Sequence, residues 1–336
     1  MDDAPRARLT AWLRAASGQK DLAVQRMALL SGGAIQQNWA LDVTFTARSE
    51  AWVLRTDNAT VLAVSHSRAA EFSLLRAAFA ARVTVPEPLF LCEDAAVTGA
   101  PFFVMRRVAG LAAGHRVVRS DTLGGGRSAL VRALGRELAR IHSITPPRHE
   151  LSFLGAPPAD AALAFIAAQR RDLDRQRLPR PALEWGLRHL ERTAPAPVAP
   201  VLCHNDFRTG NLMLTDAGVT AVLDWEFAGW GDGHADLGWL CAKCWRFGNI
   251  AQEAGGIGPR EALYAGYAAE AGHGVDQARV AWWELAAHIR WATIAIDQAE
   301  RHLSGAERSL ELALTGHIVP ELEWDILRMV QERDHA

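Results

Sequence analysis

The chain has 336 residues, nearly half of them hydrophobic and about a fifth charged, which suits a two-lobed fold or two packed units and excludes wholesale disorder. Its formal net charge is −2 and it has no basic block or stripe, so no nucleic-acid partner is expected. No stretch approaches the roughly eighteen uninterrupted apolar residues of a membrane span, and the acidic start Met1-Asp2-Asp3-Ala4-Pro5 has no apolar signal core; a cytoplasmic protein with no membrane partner is expected.

Residues 5–16 have helical spacing, with Leu9, Trp12, Leu13 and Ala16 on one stripe. Strand-like runs follow at 26–30, 38–46 and 50–55; in the second, Trp39, Leu41, Val43 and Phe45 share a face. Residues 66–80 return to a helical period around Glu71, Leu74, Leu75 and Phe79, stopped by Val85-Pro86-Glu87-Pro88. Two more strand-like runs lie at 89–92 and 101–106. The texture changes after Gly110, and from residue 127 the chain is mostly helical. Leu134, Leu138, Ile141 and His142 form one stripe, 158–192 predicts two helices, and 236–247, 259–271, 276–302 and 305–332 predict one each. The pattern predicts an α+β fold: a small antiparallel β-rich lobe over 1–107, a hinge near 104–110, and a larger helical lobe over 108–336. The four cysteines do not suggest a disulfide framework, and Cys241 and Cys244 read as reduced core residues.

The chemistry concentrates in Cys203-His204-Asn205-Asp206-Phe207-Arg208-Thr209-Gly210-Asn211, with Asp224 thirteen residues later at the end of the strand-like run 219–223. Phosphoryl transfer needs a carboxylate beside the acceptor hydroxyl and oxygen ligands for the Mg²⁺ that bridges the nucleotide phosphates. A loop carrying Asp206 and, five residues on, Asn211 can aim one group at the acceptor and the other at the metal. A hairpin ending in Asp224 adds a carboxylate on the metal's other side.

These motifs resemble the aminoglycoside phosphotransferase superfamily, whose members carry His-Gly-Asp-x-x-x-x-Asn, then Asp-Trp-Glu, here Asp224-Trp225-Glu226. A Gly-Asp-x-x-x-Asp-Leu pattern follows, here Gly231 to Leu237. The resemblance runs from about residue 26 to 330 and implies a protein-kinase-like fold that uses ATP and Mg²⁺. It implies Asp206 as catalytic base in a loop at 204–211, and Asn211 and Asp224 as metal ligands, the latter within a segment at 219–237. His204 and Asp236 would support the loop. One departure is Asn205 in the place of the usual glycine; asparagine tolerates positive φ, so the loop shape can survive.

In the first lobe, Gly32 and Gly33 lie where a phosphate-covering loop would sit, although an ordinary Gly-rich hairpin fits the same residues. Kinases place a lysine at the end of the third strand. The only lysines here are Lys20 and Lys243, so Arg55 is the candidate, with Glu71 as its partner. Val104, Met105 and Arg106 are expected to meet the adenine through backbone groups, although a plain core position fits Met105 equally.

For the small-molecule acceptor the signals are thinner. Eight of the twelve tryptophans fall between Trp225 and Trp324, and the insert 158–192 is basic, with Arg170, Arg171, Arg175, Arg177, Arg180 and Arg188. A solvated helix face explains these arginines, as does an anionic acceptor. Arg55 and the run from Asp236 to Gly248 resemble a branch related to the kinase-like domain fused to some acyl-CoA dehydrogenases, which implies a hydroxyacyl or CoA-linked acceptor. The alternatives are an aminoglycoside acceptor, a catalytically inactive nucleotide-binding regulator, and a CoA- or acyl-binding module.

Overall fold

The computed structural model describes residues 3–30, 36–57, 66–176 and 178–334. The helix α1 (Asp3–Ser17) leads into β1 (Ala23–Leu29), β2 (Gln36–Thr44) and β3 (Ser49–Asp57), then α2 (Arg68–Ala80), β4 (Pro88–Cys92) and β5 (Phe102–Arg106). The five strands form one antiparallel sheet in the order β1-β2-β3-β5-β4. Strand alternation sorts its side chains. Leu41, Val43, Phe45, Leu54 and Val104 pack with Leu9 and Leu13 of α1 on one face. Val53, Phe103 and Met105 pack with Phe72 and Leu75 of α2 on the other. Arg55, two residues beyond Val53, therefore emerges on the α2 side.

The rest of the chain is mainly helical. A one-turn helix α3 (Gly114–Val117) precedes α4 (Arg127–His142), α5 (Ala161–Asp174) and α6 (Pro181–Arg192). Short strands follow: β6 (Val201–Cys203), β7 (Leu212–Thr215), β8 (Gly218–Val222) and β9 (Gly229–Gly231). β6 pairs with β9 and β7 with β8, so the segments flanking the motif residues are two small antiparallel ladders. Then come α7 (His234–Cys241), α8 (Arg260–Ala271), α9 (Gln277–Leu303), α10 (Leu310–Gly316) and α11 (Val319–Asp334). Side-chain caps at Ser67, Asp160, Asp276 and Ser309 start α2, α5, α9 and α10. Helices α4 and α8 cross closely at Gly135 and Gly266, where a Cβ on either glycine would land on the other helix's backbone.

Two helical segments differ from the expectation. The run 236–247 is not one helix: α7 stops at Cys241, Ala242 turns extended (φ −57°, ψ 139°), and Cys244 sits half-buried in a 3₁₀ turn. The stop has a cause in the Arg246 guanidinium, which donates to the Cys241 carbonyl at 2.7 and 3.1 Å and so satisfies a helix-end acceptor. The run 305–332 divides into α10 and α11, because Pro320 fits only the first turn of a helix and so marks a new start. All four cysteines are free thiols; Cys203 and Cys241 are fully buried, and burial pushes the Cys241 thiol up to about 12. No helix among the described residues is long and apolar enough to cross a membrane.

Candidate active site

The loop after β6 is held from behind by one carboxylate. Asp236, on the first turn of α7 and completely buried, accepts the backbone N–H of His204 at 2.7 Å and that of Asn205 at 2.8 Å. It also meets His142 Nε2 at 3.2 Å. Burial works to raise its pKa, but the bond and charge of His142 and the loop N–H outweigh this and keep it below the usual carboxylate range.

His204 ties the loop to the neighbouring ladder. The Asp206 N–H donates to its Nδ1 at 3.2 Å, so its Nε2 carries the proton and donates to the Leu223 carbonyl at 2.9 Å. Burial lowers its pKa, which keeps the ring neutral as this bonding requires. Asn205 has φ +62°, the conformation that admits asparagine in the glycine's place, and its amide donates to the Phe227 carbonyl at 3.0 Å. The turn so made presents the Asp206 carboxylate beside the amide of Asn211, whose Nδ2 donates to Asp206 Oδ2 at 2.6 Å and to the Asp206 carbonyl at 3.0 Å. That spends the nitrogen and leaves the Asn211 oxygen for a cation.

Asp224 follows β8 and also lies at positive φ, +69°. Its Oδ1 accepts from Arg55 Nη2 at 2.7 Å. Burial again works upward on this carboxyl, and the Arg55 charge and hydrogen bond hold it below the usual range. Arg55 Nε meets Glu71 Oε1 at 2.9 Å, Glu71 is shared with Arg68, and Arg68 Nε reaches Asp57 at 2.9 Å. Five alternating charges thus run from the edge of β3 through α2 to the second lobe. The Arg55–Glu71 pair is buried on both sides.

A cleft of about 620 Å³ opens between the sheet and the helical lobe. Arg55, Asn211 and Asp224 line it, and Val53, Leu75, Met105 and Val222 supply apolar walls. Gly32 and Gly33 lie outside the described residues. Val104 is fully buried against the α1 side, and its strand is paired on both edges. Met105, Arg106, Arg107 and Val108 are the residues of this stretch that border the cleft.

The sequence matches the phosphotransferase enzyme family over residues 26–283. The chain belongs to that family. Among curated proteins, this family member is 31% identical over 190 residues to mouse acyl-CoA dehydrogenase family member 10, and 32% identical over 196 residues to chicken acyl-CoA dehydrogenase family member 11. These matches cover 54% and 56% of the chain but only 17% and 24% of the relatives' own lengths. Among solved structures, a candidate aminoglycoside phosphotransferase from Ralstonia eutropha superposes with a TM-score of 0.75 at 20% identity, covering 97% of this chain and 98% of that one. A choline/ethanolamine kinase family protein from Mesorhizobium loti gives a TM-score of 0.59 at 17% identity, covering 96% and 98%. The two-lobed α+β fold is that of this phosphotransferase family.

Three residues that touch the candidate site were not singled out from sequence. Glu226 lines the cleft beside Asp224, and burial with the Asp224 charge pushes its carboxyl up to about 7. Trp239 donates from Nε1 to Asp206 Oδ1 at 3.0 Å. Arg208 places its Nε 3.2 Å from both Asp206 oxygens and its guanidinium 4.9 Å over the Trp245 ring. Of these only Glu226 had a sequence signal, as the last residue of the Asp-Trp-Glu motif. The basic insert resolves toward the bland explanation: Arg170 pairs with Glu184 and Glu191, Arg175 with Asp172 and Arg180 with Glu323, Arg171 and Arg188 are exposed, and Arg177 lies outside the described residues.

Proposed function

We propose that this phosphotransferase moves the γ-phosphoryl group of ATP to a hydroxyl of a small molecule, with Asp206 as the base. The observation that carries the reading is the join between Asp206 and Asn211: the Asn211 amide nitrogen orients the base, and Asn211 lines the same cleft as Asp224. In the transfer, the acceptor O–H proton passes to Asp206 and the acceptor oxygen bonds to the γ-phosphorus. The bond from that phosphorus to the β–γ bridging oxygen breaks, and ADP leaves. Arg55, preset by Glu71, is the cation for the phosphates, and Met105, Val53 and Val222 offer apolar surface for the base of the nucleotide.

The residues present fit Mg²⁺. Asn211 and Asp224 are hard oxygen donors, and among the described residues no group of three or more His, Cys, Asp or Glu could hold a metal without help. An ion shared with substrate phosphates needs only one or two protein carboxyl or carbonyl ligands. When bound there, it would neutralise charge developing on the phosphates.

For the acceptor we favour a hydroxyacyl or CoA-linked compound. The support is the identity to the two acyl-CoA dehydrogenase family members, together with the charges around Asp206: Arg208 pairs with it and Arg290 lies near enough to feel its charge. A polycationic aminoglycoside would meet two arginines there. A coupled assay of ATP consumption with hydroxyacyl-CoAs and with aminoglycosides tests this, and turnover with aminoglycosides alone would overturn it. The Asp206→Ala variant should keep its affinity for Mg-ATP and lose about 10²- to 10⁴-fold in transfer rate. An unchanged rate removes Asp206 from the base role. Nucleotide binding without transfer to any acceptor in a broad panel would instead favour a regulatory protein, and acyl-CoA binding indifferent to ATP a binding module.

A further inference from the structure

We propose that Arg208 is a two-position arm: in the empty cleft it covers the Asp206 carboxylate, and during transfer it holds the phosphoryl group in flight and so uncovers the base. The proposal rests on the reading of Asp206 as that base. A carboxylate has about four lone-pair sites. Here Trp239 Nε1 takes one on Oδ1 at 3.0 Å, Asn211 Nδ2 takes one on Oδ2 at 2.6 Å, and Arg208 Nε lies 3.2 Å from each oxygen. With the arm in place, an acceptor hydroxyl has no good approach to either oxygen.

One of these donors must give way, and the structure distinguishes them. Trp239 is 4% exposed and wedged against Trp245, with ring centroids 5.1 Å apart. Asn211 is buried and holds the Asp206 carbonyl with the same nitrogen. The Arg208 side chain is 27% exposed, and its contacts are longer than the ~2.7–2.9 Å of a tight charge-assisted bond. Its guanidinium rests on the face of Trp245, a surface over which a cation can slide without losing its support. Gly210 gives it room, since a Cβ there would come within 2.5 Å of Arg208 Nη1.

The direction of movement follows from the charges. The Arg208 Nη1 lies over Gly210, where a Cβ would come to 2.5 Å from it, and Gly210 lines the cleft together with Asn211 and Asp224. The guanidinium thus stands at the edge of the cleft that the phosphates would enter. An anion arriving there offers the guanidinium a better partner than a carboxylate already bonded to two other donors. Arg208 keeps its proton and its charge throughout; only its partner changes.

The test needs no acceptor. Affinity for Mg-ADP is measured with and without aluminium fluoride, which mimics the phosphoryl group in flight, for the wild type, Arg208→Met and Arg208→Lys. The wild type should bind Mg-ADP at least about tenfold more tightly with aluminium fluoride, and Arg208→Met should lose that gain while its Mg-ADP affinity stays within about twofold. Arg208→Lys should recover part of it. Tryptophan emission should change on adding fluoride in the wild type, as the guanidinium shifts across the face of Trp245, and stay silent in Arg208→Met. An equal gain in the wild type and Arg208→Met overturns the arm and leaves the nucleotide site standing, and no binding of Mg-ADP by the wild type overturns both readings. Unchanged Mg-ADP affinity in the variants also shows that they fold.

Discussion

Asn205 turns the loop between β6 and Asp206 by adopting a conformation most side chains resist. Its φ is +62°, its amide is anchored on the Phe227 carbonyl, and its own carbonyl accepts from Arg290 at 2.8 Å. Asn205→Gly should keep the turn and lose only the amide bond, at about 1 kcal/mol. Asn205→Ala should lose the same bond and also hold a Cβ at positive φ, for about 1–2 kcal/mol more. Urea unfolding of the two variants decides this, and equal midpoints would remove backbone conformation from the account. That Asp206 and Asn211 meet, and that Asn211 and Asp224 line one cleft, was legible in their spacing, which is the spacing phosphoryl transfer would need. The pairing of Arg55 with Glu71 was legible because a strand end and the next helix are neighbours. Its second bond, to Asp224, spans 169 positions in the chain, and no local pattern encodes it. Arg208 was equally hidden, since spacing does not reveal a side chain that folds back on its neighbour.

Among the elements, the crossing of α4 and α8 depends on absent side chains. Gly135 would place a Cβ against the Leu263 carbonyl and the Tyr267 N–H, and Gly266 would place one against the Arg132 carbonyl. Both obstacles are backbone, which cannot turn aside as a side chain can. Gly135→Ala and Gly266→Ala should each destabilise the fold by about 2–3 kcal/mol, despite alanine's better helix propensity. If either variant matches the wild type in chemical denaturation, the helices are not held that closely. The hydrophobic period located α4 and α8 in the sequence, but it treats glycine as a weak helix residue and says nothing of what lies opposite. The end of α7 escaped for a similar reason, because Arg246 reaches back from beyond the helix to take the Cys241 carbonyl.

The molecule as a whole is expected to be sensitive to acid. Asp232 is buried and accepts from His234, from Arg279 at 2.8 Å and from Trp283 Nε1 at 2.8 Å, tying the turn before α7 to α9. Burial alone would raise its pKa; these bonds hold it well below the usual range, as the partners of Asp224 and Asp236 also do for those carboxyls. A carboxyl depressed in the folded state adds stability that is complete above its unfolded pKa of ~3.9 and drains away as pH falls toward the folded value. The urea midpoint should therefore drop steeply below about pH 4. Asp232→Asn should be less stable near neutrality and show a shallower acid slope; a slope equal to the wild type's would show that Asp232 does not carry it. The two-lobed layout was legible in the change from strand-like to helical periodicity. The chain of five charges that fastens one lobe to the other was not, because only the closed fold brings its members together.

The buried thiols give the folded molecule a clock. Cys203 and Cys241 are inaccessible, and burial keeps both protonated far above physiological pH. A thiol reagent can reach them only while the surrounding core is open, and only then do they ionise normally. Their alkylation in native buffer therefore counts excursions from the closed state, and a ligand that fastens the two lobes should slow the count.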